Sequence, residues 1–327
     1  MKRNVAIVAG GDSSEYEVSL RSAKGLCSFL DNQRYNIYVV TIHGTDWNVQ
    51  LSDTEIFPIN KNDFSFTNSA NEVVHFDFAY ITIHGTPGEN GLLQGYLDMM
   101  RILYNCCDVL SAAMTFNKYT CNQYLKHFGV NVAESILLRR GQTISDKEVI
   151  SRLGLPCFIK SNVGGSSFGV TKVKTAEQIQ PAIELAFKEG DEVVMESFLD
   201  GTEITCGVYK TRNTAVAFPI TEVVSENEFF DYDAKYKGQV SEITPARIPD
   251  ALRDRVQQET LKIYDILGCH GIIRIDYIIT AGEKINLLEI NTTPGMTATS
   301  FIPQQVRAAG LNITDVLTEI IEDHFQA

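Results

Sequence analysis

Residues 271–295, GIIRIDYIITAGEKINLLEINTTPG, decide how this chain is read. Two β-rich runs flank the turn Ala281-Gly282-Glu283-Lys284, the pattern of a hairpin. With Thr280 set opposite Ile285, Asp276 faces Glu289 and Arg274 faces Asn291. Side chains alternate along a strand, so these four share one side of the sheet. Ile273, Ile275, Tyr277, Leu288 and Ile290 fall on the other side, as a core face.

Two carboxylates held opposite one another repel by roughly 4 kcal/mol at ~4 Å and an effective dielectric near ~20. A whole domain is stable by only about 5–15 kcal/mol, so such a pair implies a cation or a raised pKa. Oxygen donors from Asp, Glu and Asn suit Mg²⁺, which keeps waters and bridges substrate phosphates. The plainer alternative is a solvated hairpin face on which Arg274 neutralises one acid.

The chain has 327 residues, more than one compact core holds, which predicts two or three domains. Its net charge of −13 argues against nucleic acid or an anionic membrane as partner. An acidic protein that binds phosphates must gather its few cations locally or borrow metal ions. Cys27, Cys106, Cys107, Cys121, Cys157, Cys206 and Cys269 show no CxxC spacing, and most sit within apolar runs. That reads as buried thiols in a reducing cytoplasm. The apolar run 5–9 is too short for a signal sequence, and no run approaches the length of a membrane span. The expectation is a soluble cytoplasmic protein.

Working outward from the hairpin, the first hundred residues alternate strands (5–9, 35–42, 77–83) with helices (15–30, 92–100). That order predicts an open, Rossmann-like parallel sheet over residues 1–105. Residues 48–74 are polar and weakly patterned, and no element is assigned there. A helix is expected over 111–128, stopped by Gly129. Strands at 156–160, 170–174 and 192–198, with a helix capped by Thr175 and Gln178, predict a small α+β domain over 106–205. Residues 206–327 predict a domain with a largely antiparallel sheet: strands at 204–209 and 215–222, a helix at 251–267, the hairpin, and a final helix at 314–324. The fold class is thus α/β and α+β. Residues 223–248 run long without period, as functional lids do.

The second strong motif is KSNVGGSSFG at 160–169, in which glycines and serines let backbone N–H groups approach phosphate oxygens. It is not a Walker A loop, because Lys160 precedes the glycines and a strand follows. A flap folding over a nucleotide fits; a plain flexible hairpin loop is the alternative. GGDSSE at 10–15 lacks the third glycine of a dinucleotide fingerprint. Glu15 there either complements the helix dipole or holds a ligand ammonium group. His84-Gly85-Thr86-Pro87-Gly88-Glu89 follows a buried strand at its carboxyl end, where ligands of α/β sheets sit. A lone His84 is more often structural, and Lys118, Lys235 and Tyr236 read most simply as surface residues.

Together GGDSSEYEVSLRS (10–22), HGTPGENGLLQG (84–95), KSNVGGSSFGV (160–170), DYDAKY (231–236), GIIRIDYII (271–279) and LLEINTTPGMTATS (287–300) resemble the D-alanine–D-alanine ligase family of the ATP-grasp superfamily. The pieces occur in order and span essentially the whole chain. The resemblance implies that Lys118 and Lys160 contact ATP phosphates, with Gly165, Ser167 and Gly169 in the closing flap. It implies Glu196 and Glu203 at adenine and ribose, and Asp276, Glu289 and Asn291 as ligands of two Mg²⁺ (or Mn²⁺) ions. Glu15 would anchor the ammonium of the first D-alanine. Ser300 and Lys235, beside the backbone of Phe301, would take the carboxylate of the second, with His84 also in the substrate site. Arg274 and the Gly295 N–H would stabilise the oxyanion, and Glu15, Ser166 and Tyr236 would lock the lid.

The reaction so implied runs through an acyl phosphate that a second D-alanine amine attacks, for peptidoglycan precursor synthesis, in a homodimer. Tyr236 resembles the dipeptide-forming enzymes rather than the D-lactate-using ones. Departures are Asn117 where aspartate is common, Ser161 for a common proline, and Val163-Gly164 for a more polar pair. The alternatives are a D-alanine–D-lactate ligase, another ATP-grasp carboxylate–amine ligase, or a nucleotide-binding regulator without catalysis.

Overall fold

The structure, a computed structural model, describes residues 2–52, 54–165, 169–225 and 240–326. Its N-terminal part holds β1 (Arg3–Gly10), β2 (Tyr35–His43), β3 (Asp46–Gln50), β4 (Ile56–Pro58), a small hairpin of β5 (Ser65–Thr67) and β6 (Val73–His75), then β7 (Phe78–Ile81) and β8 (Leu103–Tyr104). The sheet order is β4-β3-β2-β1-β7-β8, with β2, β1, β7 and β8 parallel and β3 and β4 antiparallel. β1 is a continuous apolar run because it lies at the centre with both faces covered. Helices α1 (Tyr16–Phe29) and α2 (Leu92–Met100) stand where the periodicity put them. The unassigned stretch 48–74 contributes β3 to β6, held by Trp47, Phe57, Phe64, Phe66 and Phe76 in edge-on and tilted contacts.

Between the first two sheets, the single helix expected over 111–128 is two helices, α3 (Val109–Phe116) and α4 (Lys118–His127). The break is Asn117, extended at φ −89° and ψ 97°, whose side chain caps α4 by accepting the Thr120 N–H. Both helices pack on the C-terminal sheet: Ala112, Cys121 and Leu125 share a core with Ile204, Ile275 and Leu287.

The central sheet holds β9 (Ser135–Arg139), β10 (Cys157–Ser161), β11 (Thr171–Val173) and β12 (Glu192–Ser197), antiparallel in the order β11-β10-β12-β9. Helices α5 (Asp146–Leu153) and α6 (Ile179–Ala186) complete its core. The Thr175–Gln178 capping box is present, and it opens a short 3-10 turn ahead of α6.

The C-terminal sheet holds β13 (Gly201–Lys210), β14 (Ala215–Ala217), β15 (Thr221–Ser225), β16 (Val240–Ile243), β17 (Ile273–Thr280) and β18 (Lys284–Asn291). It is antiparallel in the order β16-β15-β13-β17-β18, with β14 also on β13. The one strand expected over 215–222 is divided into β14 and β15, with Pro219, which has no N–H to give a ladder, between them. Helices α7 (Asp250–Ile266) and α9 (Ile313–Asp323) were expected; α8 (Phe301–Ala308) was not. Pro303 in its first turn is compatible with a helix start, where the missing N–H costs nothing.

The hairpin reaches the expected acid pairing by a different route. Thr280 faces Lys284 rather than Ile285, and the register shifts between Asp276 and Tyr277. The shift leaves Leu288 without a partner, as a β-bulge does. Beyond it, Asp276 faces Glu289 and Arg274 faces Asn291, as predicted. Leu288 itself is not on the core face: it is half-buried, and Leu287, 1% exposed, fills the core opposite Tyr277. Among the described residues no helix is long and apolar enough to cross a membrane.

Candidate active site

A cavity of about 930 Å³ lies between the central and C-terminal sheets and reaches the loop after β1. Its walls include Glu15, Lys118, Lys160, Gly165, Glu196, Glu203, Arg274, Asp276 and Glu289, all singled out from sequence. On its floor Arg274 grips Asp276 with two hydrogen bonds, Nε to Oδ1 at 2.9 Å and Nη2 to Oδ2 at 2.7 Å. The residues are two apart on β17, so their side chains share a face, and the fork geometry is the strong form of this pairing. Arg274 thus does neutralise an acid, as the plainer alternative held. The face is not solvated, however: Arg274 is 8% and Asp276 7% exposed. Burial alone would lower the Arg274 pKa, but the charges of Asp276 and Glu289 outweigh it and raise it.

Two lysines converge from other elements. Lys118, the first residue of α4, places Nζ 3.9 Å from Glu289 Oε2 and donates to the Gly164 carbonyl at 2.5 Å. Lys160 on β10 meets Glu196 Oε2 at 2.7 Å, with both side chains under a tenth exposed. Burial pulls its pKa down, and the charges of Glu196 and Glu289 pull it up by more. Glu196 also accepts from Asn122 Nδ2 at 3.4 Å. Phe158 and Phe198, 6.1 Å apart with Lys172 Nζ 4.2 Å over the Phe198 ring, make an apolar wall. Glu203 is half-buried beside it on β13.

From the N-terminal sheet, Glu15 reaches in just ahead of α1 and is 7% exposed. A Cβ added to Gly165 would lie 2.5 Å from Glu15 Oε2, so a larger residue there would push this carboxylate aside. Glu89, to which sequence reading gave no role, is buried beside this group. Its carboxylate accepts the Gly85 N–H at 2.7 Å, and burial followed by the charge of Glu15 pushes its pKa up to about 7. The signal for it was available: an acid a few residues beyond a buried strand at a ligand-binding sheet end.

Not every expected residue meets the cavity. His84 is 4% exposed and its carbonyl accepts the Ser13 hydroxyl at 2.7 Å, one residue behind the wall. Gly295 and Ser300 lie together next to α1: a Cβ on Gly295 would be 3.0 Å from Ser300 Oγ, which accepts the Thr297 N–H at 3.0 Å. Phe301 bridges back to the floor, with the Arg274 guanidinium carbon 5.3 Å from its ring centre. Asn291, opposite Arg274, accepts the Thr293 N–H at 3.1 Å and lines a smaller recess with Glu15, Glu89 and Lys118. Ser166, Ser167, Lys235 and Tyr236 lie outside the described residues.

An antiparallel sheet presenting paired acids, closed over by a second antiparallel sheet with a glycine-rich loop and Lys160, with Lys118 entering from α4, defines an ATP-grasp enzyme. Comparison with known proteins narrows the class. Residues 4–107 match the model of the D-ala D-ala ligase N-terminus, and residues 124–322 that of its C-terminus. A D-alanine–D-alanine ligase of Bacteroides fragilis (strain YCH46) is 69% identical over 99% of this chain and 100% of its own length. One from Parabacteroides distasonis is 62% identical over 100% of this chain and 98% of its own. Among solved structures, a D-Ala:D-Ser ligase from Enterococcus faecalis superposes with TM-score 0.86 at 30% identity, covering 98% of this chain and 99% of that one. The Bacillus anthracis D-alanine–D-alanine ligase complexed with ATP superposes with TM-score 0.79 at 27% identity, over 99% and 98%. The chain belongs to the D-alanine–D-alanine ligase family.

Proposed function

We propose that this protein joins two D-alanine molecules at the expense of ATP, through a D-alanyl phosphate. The observation that carries this reading is the opposed Asp276–Glu289 pair facing a cavity that Lys118 and Lys160 also enter. Lys118 and Lys160 bind phosphate oxygens and hold them against the hairpin. Phe158 and Phe198 give the nucleobase an apolar wall, and Glu196 and Glu203 accept from its amine and the ribose hydroxyls. Asp276, Glu289 and Asn291 offer oxygen donors only, the set that Mg²⁺ or Mn²⁺ prefers. Divalent ions held there supply positive charge to offset the transferring phosphoryl group.

Glu15 and Glu89 repel one another across the recess, and a substrate ammonium between them relieves that repulsion. The first D-alanine carboxylate then attacks the γ-phosphate, releasing ADP. The second D-alanine amine attacks the acyl carbon, Arg274 with the Gly295 N–H steadies the oxyanion that develops, and the intermediate collapses to the dipeptide by expelling inorganic phosphate and losing the amine proton. Ser300, Lys235 and the Phe301 backbone hold the second carboxylate, His84 supports the substrate wall from behind, and Ser166, Ser167 and Tyr236 close the flap and lid, as the resemblance implies. The protein works in the cytoplasm as a homodimer; its seven cysteines are free thiols, six of them buried.

The test is incubation with ATP, Mg²⁺ and D-alanine, with D-lactate or D-serine added in parallel arms. D-alanyl-D-alanine with one ADP per dipeptide supports the reading. A D-lactate ester or a D-serine dipeptide as the main product moves the assignment to a sister activity. No ADP release on adding D-alanine overturns it.

A further inference from the structure

Helix α4 begins at Lys118, and the first N–H groups of any helix lack partners within it. Here two asparagines supply them. Asn117 accepts the Thr120 N–H through Oδ1 at 2.9 Å and the Cys121 N–H through its carbonyl at 2.9 Å. The other two come from Asn162, at the end of β10 in the central sheet. Its carbonyl accepts the Lys118 N–H at 3.0 Å and its Oδ1 accepts the Tyr119 N–H at 2.8 Å. Asn162 is fully buried.

The remaining half of the Asn162 amide is fixed as well. Its Nδ2 donates to Glu192 Oε2 at 2.7 Å, and its own N–H donates to the Glu192 carbonyl at 2.9 Å. Glu192 Oε2 also accepts from Asn117 Nδ2 at 3.3 Å, while Oε1 accepts from Arg139 Nε at 2.9 Å. One carboxylate therefore ties β9, β10 and the cap of α4 together. A carboxylate at position 162 keeps the acceptor but loses the donor, and serine lacks the second functional atom. The same contacts suit an amide at Asn117, since an acid there would face Glu192.

We propose that Asn162, oriented by Glu192, is a positioning residue that sets Lys118 and Lys160 in register for ATP. Lys160 precedes Asn162 by two residues on the same strand, and Lys118 takes both its backbone anchor and its helix start from Asn162. Removing the amide leaves the Tyr119 N–H without its acceptor and the Asn162 carbonyl as the remaining anchor of Lys118, so the α4 start loosens on the central sheet and one lysine drifts relative to the other. The idea rests on the ATP-dependent ligase reading. D-alanine is gripped from other elements, so its binding is left alone.

The test compares wild type, Asn162→Ala, Asn162→Asp and Asn162→Asp with Glu192→Gln. In the double variant the new carboxylate still accepts the Tyr119 N–H and the new amide at 192 donates to it, while the longer contact from Asn117 Nδ2 loses its acceptor. A wild type that fails to make dipeptide defeats the ligase reading itself, separately from this inference. With wild-type turnover in hand, Asn162→Ala is expected to raise KM for ATP about tenfold, the loss of a buried, partly charged hydrogen-bond set. KM for D-alanine stays within about twofold, because that site is held by other elements. Asn162→Asp is expected to show the same split, and the double variant to recover ATP affinity to within about threefold. Equal changes in both KM values, an unchanged KM for ATP, or no recovery in the double variant would each overturn the proposal.

Discussion

The central sheet keeps its apolar side chains to itself. Ile136, Val149, Ile159, Val173, Ile183 and Met195 form a core with no residue from elsewhere. The N-terminal sheet does the opposite: Ile7, Leu26 and Phe78 bury against Ile302, Val306, Leu317 and Ile321 of α8 and α9. Helices α3 and α4 are likewise absorbed into the core of the C-terminal sheet. One region is therefore bound to the rest by polar links, and the other two are fused by a shared interior. Apolar burial is worth about 25 cal/mol per Å², so a shared core melts as one unit, while a separate core can open alone. The cavity lies along that seam, which lets one wall shift while the floor stays rigid.

Four measurements press on this contrast. The largest effect is expected from Asp276→Ala, which removes an acid from the rigid floor. Turnover should fall at least about a thousandfold, ~4 kcal/mol of barrier, with both units still folded by circular dichroism and hydrogen exchange. Near-wild-type turnover would remove Asp276 from the chemistry. Next, Ile159→Ala empties a fully buried position in the central core and should destabilise that unit by about 2–5 kcal/mol. Hydrogen exchange should quicken across β9 to β12 and stay unchanged in β1 and β7; quickening everywhere would mean a single cooperative unit.

Glu89→Gln probes the fused body through pH. Folding raises the Glu89 pKa from 4.5 to about 7, so the folded form holds a proton that the unfolded form has lost. The stability tied to that proton is complete below about pH 4.5 and is lost as pH rises to about 7, on the order of 3 kcal/mol. Melting curves of the variant and wild type should nearly coincide at low pH. By pH 8 the variant should be the more stable, and a pH-independent difference would refute the assignment. The smallest effect is expected at Lys126→Ala, which breaks an exposed ion pair to Glu134 (2.7 Å) between α4 and the segment leading to β9. Stability should change by less than about 1 kcal/mol, since such pairs are weak in water. A larger loss would mean that surface charge, not buried amides, fastens the central sheet.

Much of this molecule was legible in its residues, and the failures have physical causes. β1, α1, α2 and the hairpin carry strong periodicity, and they stand within a residue or two of expectation. Asn117 hid a helix break because the contacts that fix it, its own to Glu192 and that of the Lys118 N–H to Asn162, are distant in sequence. β3 to β6 were missed because aromatic contacts, not alternation, hold those short edges. In the site, Lys160, Asp276 and Glu289 follow from motif and pairing, whereas Lys118 was singled out only by the family resemblance. Glu89 escaped because its place past a buried strand was the one local hint, and its burial next to Glu15 is set by residues distant in sequence.

The bulge at Leu288 has one more consequence. Leu288, left unpaired, and Glu289, paired with Asp276, are adjacent in sequence and both line the cavity. Grease and charge thus reach the same cavity from consecutive positions, one inside the ladder and one outside it. Deleting Leu288 would restore an even ladder with Asp276 still opposite Glu289. The apolar lining at Leu288 and the geometry of the acids are therefore separable by a single excision.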